Sequence, residues 1–589
     1  MDTPFSFYKQ NQEKYKSEAE KLSKQMTMLS SLRLLIFLLT ALGIYFFINH
    51  WLAPTIIGII GAGIFIYLLS RYSDVKSEKQ LKSALENINK TELEILNGHY
   101  YSRPKGLEFQ DPNHFYALDI DLFGRGSFFQ FINRTSINEG TALLAEALKA
   151  NDTNDVELRQ KAIKELASKP DWRQLYSANA SLIEVDTPAI QIIGWLKNHK
   201  SFLPRNIQWL PIAFSIGTFA VFALFIFKVI DIEFVGYWLL LGLMITGRYL
   251  KKINVLSSNT QKVKDTFKQY ALLLNQIENE TFHSELLLKK QDFIRNETEK
   301  ASDIFKKLSK YLDALDNRNN MISAIFGNGY FLVDLKNSYK IERWIATYKD
   351  KINDWFEVVS FFDAYNSFGN YAFNHPNYVY PKITDSLNVI NAEQLGHPLL
   401  KEEKRIDNDL LIENEQFFII TGANMAGKST FLRTVSIHIV MANVGLPVCA
   451  ASSNYHPVKL ITSMRTSDSL TDESSYFFSE LTRLKFIVDA IQEESYFIVL
   501  DEILKGTNST DKAIGSKKFV EKLVALKATG IIATHDLSLC EIENELQEVK
   551  NYYFDAEIIN DELHFDYQFK KGVCSNMNAS FLLKKMDIV

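Results

Sequence analysis

Four uninterrupted apolar runs dominate the first half of the chain and give it its hydropathy pattern. They lie in two pairs, at 34–48 with 54–70 and at 207–227 with 234–247. A helix needs roughly 17 to 25 residues to span the hydrocarbon core of a bilayer, and each run reaches that length together with its flanks. The pattern therefore predicts two transmembrane helical hairpins, at 32–72 and 206–250. Because some of the runs are short, buried helices of a soluble core are the alternative.

Basic residues lie on one side of both predicted hairpins. Only Lys228 falls within the two short turns, which cover 49–53 and 228–233. The basic residues before and after the hairpins are Lys14, Lys16, Lys21, Lys24, Arg33, Arg71, Lys76, Lys79, Lys197, Lys200, Arg205, Arg248, Lys251 and Lys252. Since basic flanks are retained in the cytoplasm, both turns are expected to face outward. The sequence thus predicts a multi-pass protein of the inner or plasma membrane, in contact with the lipid bilayer and otherwise cytoplasmic.

Outside the hairpins the periodicity changes along the chain. Residues 1–31 are rich in Lys, Glu and Gln and predict an amphipathic or coiled cytoplasmic arm. The stretch from about 112 to 180 mixes short strand-like and helical patterns. Helical periodicity governs about 253–372, where Glu285–Leu312 is long enough for one extended amphipathic helix. From 385 to 589 strands alternate with helices, which predicts a C-terminal α/β domain.

Length and composition exclude few classes of fold or function. At 589 residues the chain exceeds the size of a single hydrophobic core, so several domains are expected. The net charge of −5 disfavours a globally basic nucleic-acid-binding protein, although a local basic face is compatible with it. Cys449, Cys540 and Cys574 are too few and too widely spaced for a disulfide framework or a zinc site. They are expected to be small buried side chains in a reducing compartment.

A glycine-containing loop follows an apolar run in the C-terminal region. Phe417–Ile420 predicts a buried strand, and a helix is expected from Phe431 onward. The loop between them consists of Gly422, Ala423, Asn424, Met425, Ala426, Gly427, Lys428, Ser429 and Thr430. A strand, a Gly-x-x-x-x-Gly-Lys-Ser loop and a helix in that order are typical of a P-loop, whose backbone N–H groups bind phosphates. We therefore predict that these nine residues bind ATP, with Lys428 at the β- and γ-phosphates and Ser429 on Mg²⁺.

Two further strands are expected to end beside this loop. Tyr496–Leu500 is a continuous apolar strand that runs into Asp501 and Glu502, and Gly530–Ala533 leads to His535. Asp501 is predicted to share Mg²⁺ with Ser429, and Glu502 to polarise the attacking water. His535 is predicted to sense the γ-phosphate; the alternative is a His-Asp pair that caps the next helix. The predicted catalytic residues are Glu502, Lys428 and His535. A scaffold with degenerate catalysis is disfavoured, because the loop and both carboxylates are intact.

These segments together closely resemble the ATPase domain of the MutS family of DNA mismatch repair proteins. Asn424-Met425 within the loop, and the run Asp501-Glu502-Ile503-Leu504-Lys505-Gly506-Thr507, distinguish that family from most other ABC-type ATPases. Ser475-Tyr476-Phe477-Phe478-Ser479-Glu480-Leu481 is similar to the family's Ser-Thr-Phe-x-x-Glu-Met segment. The resemblance implies that Ser475 contacts the nucleotide of a second subunit, and therefore that the protein is a homodimer. Asp511 falls at the family's acidic position after the Asp-Glu strand.

The resemblance extends over roughly 112–180 and 350–570, with a diverged middle. Together with the hairpins it implies a multidomain fold with α-helical transmembrane hairpins, a mostly helical MutS-like core and lever, and a C-terminal α/β P-loop ATPase of the ABC type. The predicted segments are a cytoplasmic arm at 1–31, hairpins at 32–72 and 206–250, a MutS-like core at 73–205, a helical lever and second core part at 251–384, and a MutS-like ATPase domain at 385–589.

Several departures from the family bear on function. The first hundred residues carry a hairpin in place of a mismatch-recognition domain, so we expect a membrane-anchored variant that lacks that domain. Cys449 replaces a proline, and Asn508-Ser509 replaces Ser-Thr. Two functions stay open. The first is a dimeric, membrane-anchored ATPase coupled to DNA in mismatch or other repair. The second is an ATP-driven membrane machine without a DNA substrate. Lys and Arg along 251–310 would suit DNA phosphates, but Glu residues interleave them.

Overall fold

The computed structural model describes residues 3–50, 52–185, 187–295, 299–465, 476–505, 507–559 and 562–574. The chain starts with two long helices, α1 (Pro4–Phe46) and α2 (Ala53–Leu96), which pack along each other. Their register is antiparallel, because Glu18 forms an ion pair with Lys82 at 2.7 Å and Thr40 lies against Gly61. Each helix continues through the predicted boundaries at 31/32 and 72/73, so the polar arm and the apolar hairpin form one antiparallel pair. The predicted division into segments stays a prediction.

Thirteen further helices precede the C-terminal region in the described ranges. They are α3 (Phe128–Ile132), α4 (Asn138–Lys149), α5 (Val156–Ala167), α6 (Pro170–Ser181), α7 (Ala189–Asn198), α8 (Trp209–Ile226), α9 (Ile232–Gly247), α10 (Leu250–Asn279), α11 (Glu285–Arg295), α12 (Ala301–Asp316), α13 (Met321–Phe331), α14 (Val333–Tyr348) and α15 (Ile352–Asn374). α15 is almost wholly buried and contacts α3 to α7, α10 and α11. The Asp363 carboxylate on α15 accepts hydrogen bonds from the backbone N–H groups of Ser136 and Ile137, just before α4. α15 and the helices that it contacts form the core that supports the C-terminal part.

The apolar runs lie at the surface of the protein. By length and composition alone, three of the described helical stretches are long and apolar enough to cross a bilayer, namely α1, α2 and Asn206–Ile226, which contains α8. α9, with 16 residues, is apolar but shorter. Only 6%, 11% and 17% of the most apolar windows of the three long stretches are buried. This exposure does not match the alternative of buried core helices.

Two expectations for the helical part are wrong in detail. The stretch 112–180 holds helices and turns without a strand, and among the described residues the first strand begins at Lys382. Glu285–Leu312 is divided between α11 and α12, with Lys300 in an extended conformation before α12. The buried Glu278 carboxylate on α10 accepts hydrogen bonds from the Ser302 N–H and hydroxyl. A carboxylate from another helix therefore caps α12, which favours a helix start at that point.

The C-terminal part is an α/β domain, as predicted. Its strands are β1 (Lys382–Ile383), β2 (Asn388–Leu395), β3 (Asn408–Glu413), β4 (Phe417–Gly422), β5 (Ser452–Tyr455), β6 (Lys459–Ser463), β7 (Tyr496–Asp501), β8 (Thr529–Ala533), β9 (Val549–Phe554), β10 (Ala556–Ile559), β11 (Glu562–Phe565) and β12 (Lys570–Lys571). Its helices are α16 (Lys428–Val444), α17 (Tyr476–Glu493) and α18 (Ser509–Ala525). The prediction of a mostly helical chain with a C-terminal α/β part is confirmed.

The larger sheet determines where the predicted site residues lie. Its order is β12-β9-β4-β8-β7-β6, and all neighbours are parallel except β12 and β9. A four-stranded sheet, β1-β5-β2-β3, and the β10-β11 hairpin lie beside it. β4, β7 and β8 are neighbours in the middle of the larger sheet and almost fully buried, which explains their continuous apolar sequences. Parallel neighbours end at the same edge, so the residues that follow these three strands meet there.

Candidate nucleotide site

Two glycines shape the loop between β4 and α16. At Gly422, where φ is +149°, a Cβ would lie 2.6 Å from the Phe554 carbonyl oxygen, so only glycine fits there. Gly427 has a φ of +104° and precedes α16 without a capping side chain. The first N–H groups of α16 are therefore left for another acceptor, at the positive end of the helix dipole. The backbone geometry suits a bound anion such as phosphate.

The Lys428 side chain lies inside this loop. Its ammonium group donates hydrogen bonds to the Gly422 and Ala423 carbonyl oxygens, at 2.7 and 3.0 Å. Burial lowers the pKa of Lys428, while the nearby carboxylates of Asp501 and Glu502 act in the opposite direction. Ala426 is buried at the base of the loop, whereas Asn424, Met425 and Thr430 are exposed at its rim. The loop thus surrounds one buried cation and keeps its outer side open.

The two predicted metal ligands meet at the start of α16. Ser429 Oγ donates a hydrogen bond of 2.7 Å to Asp501 Oδ2, and burial raises the pKa of the Asp501 carboxyl. A hydroxyl and a carboxylate are hard oxygen ligands of the kind that Mg²⁺ takes from protein, with phosphate and water supplying the others. No cluster of three or more His, Cys, Asp or Glu that could hold a metal ion occurs among the described residues. The donor set fits Mg²⁺ and gives no sign of a site for a metal with more protein ligands.

Glu502 and His535 form a pair at the ends of adjacent strands. Asp501 on β7 is in register with Ala533 on β8, which brings the residues after the two strands together. His535 Nε2 lies 2.8 Å from Glu502 Oε1 and 3.3 Å from Lys428 Nζ. The ring nitrogen Nε2 can either donate its N–H to Glu502 or accept a hydrogen bond from Lys428. The shorter distance to Glu502 assigns it as the donor to that carboxylate. This hydrogen bond lowers the pKa of Glu502 to about 2, so the carboxylate is ionised at neutral pH.

The backbone at Glu502 is unusual. Its φ is 49° and that of Leu504 is 60°, both in the left-handed region that non-glycine residues seldom adopt. The Glu502 N–H donates to the Ala533 carbonyl oxygen at 2.9 Å, which continues the β7–β8 ladder by one residue. Residues held in such conformations cluster at functional sites, because the surrounding contacts must hold them there. Here the turn directs Glu502 toward His535.

Glu480 on α17 supports this turn. It is 3% exposed, and its carboxylate accepts hydrogen bonds from the N–H groups of Leu504 and Lys505, at 2.6 and 3.1 Å. The resemblance drew attention to the segment around Glu480, but the sequence did not predict this contact. The predicted contact of Ser475 lies outside the described residues. Asp511 lies in the first turn of α18, where its N–H and side chain both bond to the capping side chain of Asn508.

Replacing Glu480 with alanine is expected to increase the local opening of the turn after β7. Two N–H groups, one of them buried, lose a charged acceptor, at a cost on the order of 2–4 kcal/mol. Hydrogen exchange of a peptide that covers 501–505 is the measurement, and its protection should fall at least tenfold, since about 1.4 kcal/mol corresponds to one decade. Glu493→Ala, at an exposed position near the end of the same helix, is the control. Equal exchange in both variants would show that Glu480 does not hold the turn.

A cavity adjoins the loop and was not foreseen from the sequence. It has a volume of about 280 Å³ and is bordered by Gly427 and Thr430 on the loop side. His397, Ile406 and Tyr567 are among the residues that line its other sides. They come from the smaller sheet region and from the segment after β11, so their proximity depends on the tertiary fold. Aromatic and apolar side chains next to a phosphate-type loop suit the base and sugar of a nucleotide.

The remaining expectations are met or left open. His535 precedes Asp536, whose carboxylate caps the short 3₁₀ helix Leu537–Asn544 by accepting a hydrogen bond from the Ser538 N–H. The capping alternative therefore applies to Asp536, while His535 faces Glu502. Cys449, Cys540 and Cys574 are buried, as expected. The structure brings Lys428, Ser429, Asp501, Glu502 and His535 together, and their catalytic roles stay predictions.

Comparison with known proteins supports a relationship for the C-terminal part. The family model described as MutS domain V matches residues 418–584. A human protein named MutS protein homolog 4 is 34% identical over 234 residues, which cover 38% of this chain and 24% of that protein. The DNA mismatch repair protein MutS of Persephonella marina is 33% identical over 241 residues, which cover 40% of this chain and 27% of the relative. The chain spans about a quarter of the length of these relatives. Residues 418–584 of this chain are therefore similar to MutS domain V.

Proposed function

We propose that the chain is a membrane-anchored, MutS-like ATPase that hydrolyses ATP as a dimer and is coupled to DNA in mismatch or other DNA repair. The observation that carries the ATPase part is the hydrogen bond between Ser429 and Asp501 at the mouth of a glycine-shaped loop. The loop supplies backbone donors and a buried ammonium, and the two oxygens supply metal ligands. The similarity of residues 418–584 to MutS domain V supports the same proposal.

The side chains of the site have separate roles in the proposed hydrolysis. The N–H groups at the start of α16 and the Lys428 ammonium bind phosphate oxygens. Mg²⁺ bound at Ser429 and Asp501 would neutralise developing charge on those oxygens. Glu502, which is ionised at neutral pH, orients and polarises the attacking water. When His535 Nε2 donates to a phosphate oxygen instead, Oε1 of Glu502 becomes free to accept a hydrogen bond from that water.

The proposed dimer follows from the resemblance at Ser475 and from the openness of the loop rim. Asn424, Met425 and Thr430 are exposed there, and Met425 is 77% exposed, which is high for a large apolar side chain. A second subunit that covers the bound nucleotide would bury this side chain and exclude water from the reacting phosphate. The named relatives of the domain are DNA mismatch repair proteins or MutS homologues, which supports DNA as the coupled substrate.

The anchoring part of the proposal is supported by the exposed apolar helices. Exposed contiguous apolar surface of this extent is unfavourable in water and suits a lipid environment. A reporter enzyme that is active only outside the cytoplasm can be fused to the chain after Asn49. We expect this fusion to be active, because the positive-inside rule places that turn outside. The same fusion after Asn97, beyond the end of α2, is expected to be inactive. If only the fusion after Asn97 is active, the predicted orientation of the hairpin is wrong. If neither fusion is active, the chain between them does not cross the membrane.

The alternative function, an ATP-driven membrane machine without DNA, has its own support. Basic residues that would meet DNA along α10 to α12 are partly paired within the protein. Lys264 forms ion pairs with Asp313 and Asp316 at 2.6 and 3.2 Å, and Lys307 is paired with Glu299. Paired cations release fewer counterions on binding DNA and contribute less to affinity.

ATPase turnover of the full chain in detergent separates the two functions. The rate is measured alone and with linear, mismatched and branched DNA at a fixed salt concentration. A DNA-dependent change in rate is expected for the proposed function, and its size should fall with added salt. If none of the DNAs changes the ATPase rate but reconstitution into lipid does, the alternative function is favoured. Absence of hydrolysis under all conditions would overturn both.

A further inference from the structure

We propose that α13 is a further membrane element, a re-entrant helix that enters the acyl chains of the cytoplasmic leaflet beside α8 and α9. This inference rests on the proposed anchoring of α8 and α9, and it adds a segment that the apolar runs did not mark. Residues 319–333 contain no Asp, Glu, Lys or Arg. Met321, Ile322 and Phe326 on α13 are 76%, 69% and 51% exposed. Such a face is costly in water and is continuous with the exposed apolar faces of α8 and α9.

The contact between α13 and the α8–α9 hairpin is very close. A Cβ at Gly242 on α9 would lie 2.2 Å from the Gly329 carbonyl oxygen of α13, so the two backbones touch. On the α8 side, Thr218 Oγ1 donates to the Tyr330 carbonyl oxygen at 2.6 Å and accepts from Trp238 Nε1 at 2.8 Å. Small residues at the crossing point and a hydroxyl that bonds across helices are the means by which helices associate in lipid. α13 is thus packed as part of the same unit as α8 and α9.

The contact positions indicate how deep α13 reaches. Gly242 lies five residues before the end of α9 at Gly247, and Thr218 lies nine residues after the start of α8 at Trp209. At about 1.5 Å per residue, these positions are roughly 8 and 14 Å from the cytoplasmic ends of the two helices. The 11 residues of α13 extend for about 16 Å, which is about half of a roughly 30 Å hydrocarbon core. α13 is therefore too short to cross the core, and the contacts of Gly329 and Tyr330 with Gly242 and Thr218 place its C-terminal end within the cytoplasmic leaflet.

Both ends of α13 return to the same side. α12 and α14, which flank it in sequence, contact each other and carry charged side chains. Arg318 and Asp334 form an ion pair at 3.0 Å that joins the two flanks, with side chains only 13% and 3% exposed. A paired arginine and aspartate add no net charge at the base of the helix, which lowers the cost of placing them next to lipid.

The backbone of α13 is also suited to lipid, where unpaired polar groups are costly. At its start, Asn320 Oδ1 accepts from the N–H groups of Ile322 and Ser323. At its end, the Leu332 N–H donates to the Asn328 carbonyl oxygen, and the Tyr330 carbonyl is bound by Thr218 as described above. A short helix with both ends capped by protein groups meets the condition under which a non-spanning segment is tolerated at membrane depth.

Fluorescence quenching in liposomes tests the inference. The full chain, with its three buried cysteines replaced by alanine, carries one new cysteine for an environment-sensitive label and is reconstituted into phosphatidylcholine–phosphatidylglycerol vesicles. Phe326→Cys reports on α13, Phe219→Cys on α8, and Lys310→Cys on the exposed side of α12. These side chains are largely exposed, so the substitutions should not disturb folding. Lipids with a nitroxide on the acyl chain are expected to reduce emission at Phe326→Cys and Phe219→Cys, and aqueous iodide only at Lys310→Cys.

Two results would overturn the inference, and they are distinguishable. If Phe219→Cys loses emission to the lipid quencher while Phe326→Cys responds only to iodide, α13 lies in water although the anchoring of α8 holds. If neither label responds to the lipid quencher, the proposed anchoring of α8 and α9 fails and the inference fails with it.

Discussion

Replacing Glu502 with glutamine is expected to lower kcat for ATP hydrolysis by about 10²- to 10⁴-fold, the usual contribution of a positioned general base. Glutamine has nearly the same shape, but its amide carries no negative charge with which to orient and polarise the attacking water. His535 would still have an acceptor in the amide oxygen, so the geometry of the pair should survive. ATP affinity should change little, because Glu502 lies beyond the loop residues that bind phosphates, and the bound dimer is expected to accumulate.

The expected result has a clear physical basis in the protonation state of Glu502. The hydrogen bond from His535 holds the pKa of Glu502 at about 2, so the residue is a carboxylate throughout the working pH range. A base with so low a pKa contributes through orientation and charge more than through its proton affinity. Glu541→Gln, at an exposed position beyond β8, is the matched control and should hydrolyse ATP at the original rate. Unchanged hydrolysis by the Glu502 variant would remove this residue from the mechanism.

Much of the site could be predicted from the sequence because its parts are local. β4, β7 and β8 are buried on both faces, which produces continuous apolar runs that end at Gly422, Asp501 and Ala533. In these parallel strands the functional residues come directly after the last buried apolar residue. The end of each apolar run therefore indicates where they lie. The meeting of Ser429 with Asp501 was expected on that basis and is observed.

Features that depend on tertiary contacts could not be predicted in this way. Glu480 supports the turn after β7 from another helix, and nothing in its local sequence names Leu504 and Lys505 as its partners. The start of α12 is capped by Glu278, which lies on a third helix. With 11 residues, α13 is too short to be marked as a membrane span by length. Its exposed apolar face and its close contact with Gly242 are tertiary features.

Replacing Lys428 with alanine is expected to weaken ATP binding at least 100-fold, equivalent to about 2.7 kcal/mol. Charge-assisted hydrogen bonds to phosphate contribute roughly 1.5–3 kcal/mol each, and the Lys428 ammonium is the cation at the centre of the loop. Without it, the carboxylates of Asp501 and Glu502 would face the phosphates without that compensating charge. Isothermal calorimetry of the full chain in detergent gives the dissociation constant directly. Lys527→Ala, at a cation with a 74% exposed side chain two residues beyond the end of α18, is the control and should bind ATP normally.

The Lys428 and Glu502 variants are most informative when compared. In the wild-type chain, ATP at about 100 times its dissociation constant should stabilise the C-terminal domain by about 2.7 kcal/mol. Glu502→Gln should retain this stabilisation and lose turnover, whereas Lys428→Ala should lose turnover and keep at most about 0.4 kcal/mol of the stabilisation. The unfolding midpoint without nucleotide should change little in Lys428→Ala, because burial already makes the ammonium costly to keep in its charged form. If Lys428→Ala still gains the full stabilisation of about 2.7 kcal/mol from ATP, the loop between β4 and α16 is not where the nucleotide binds.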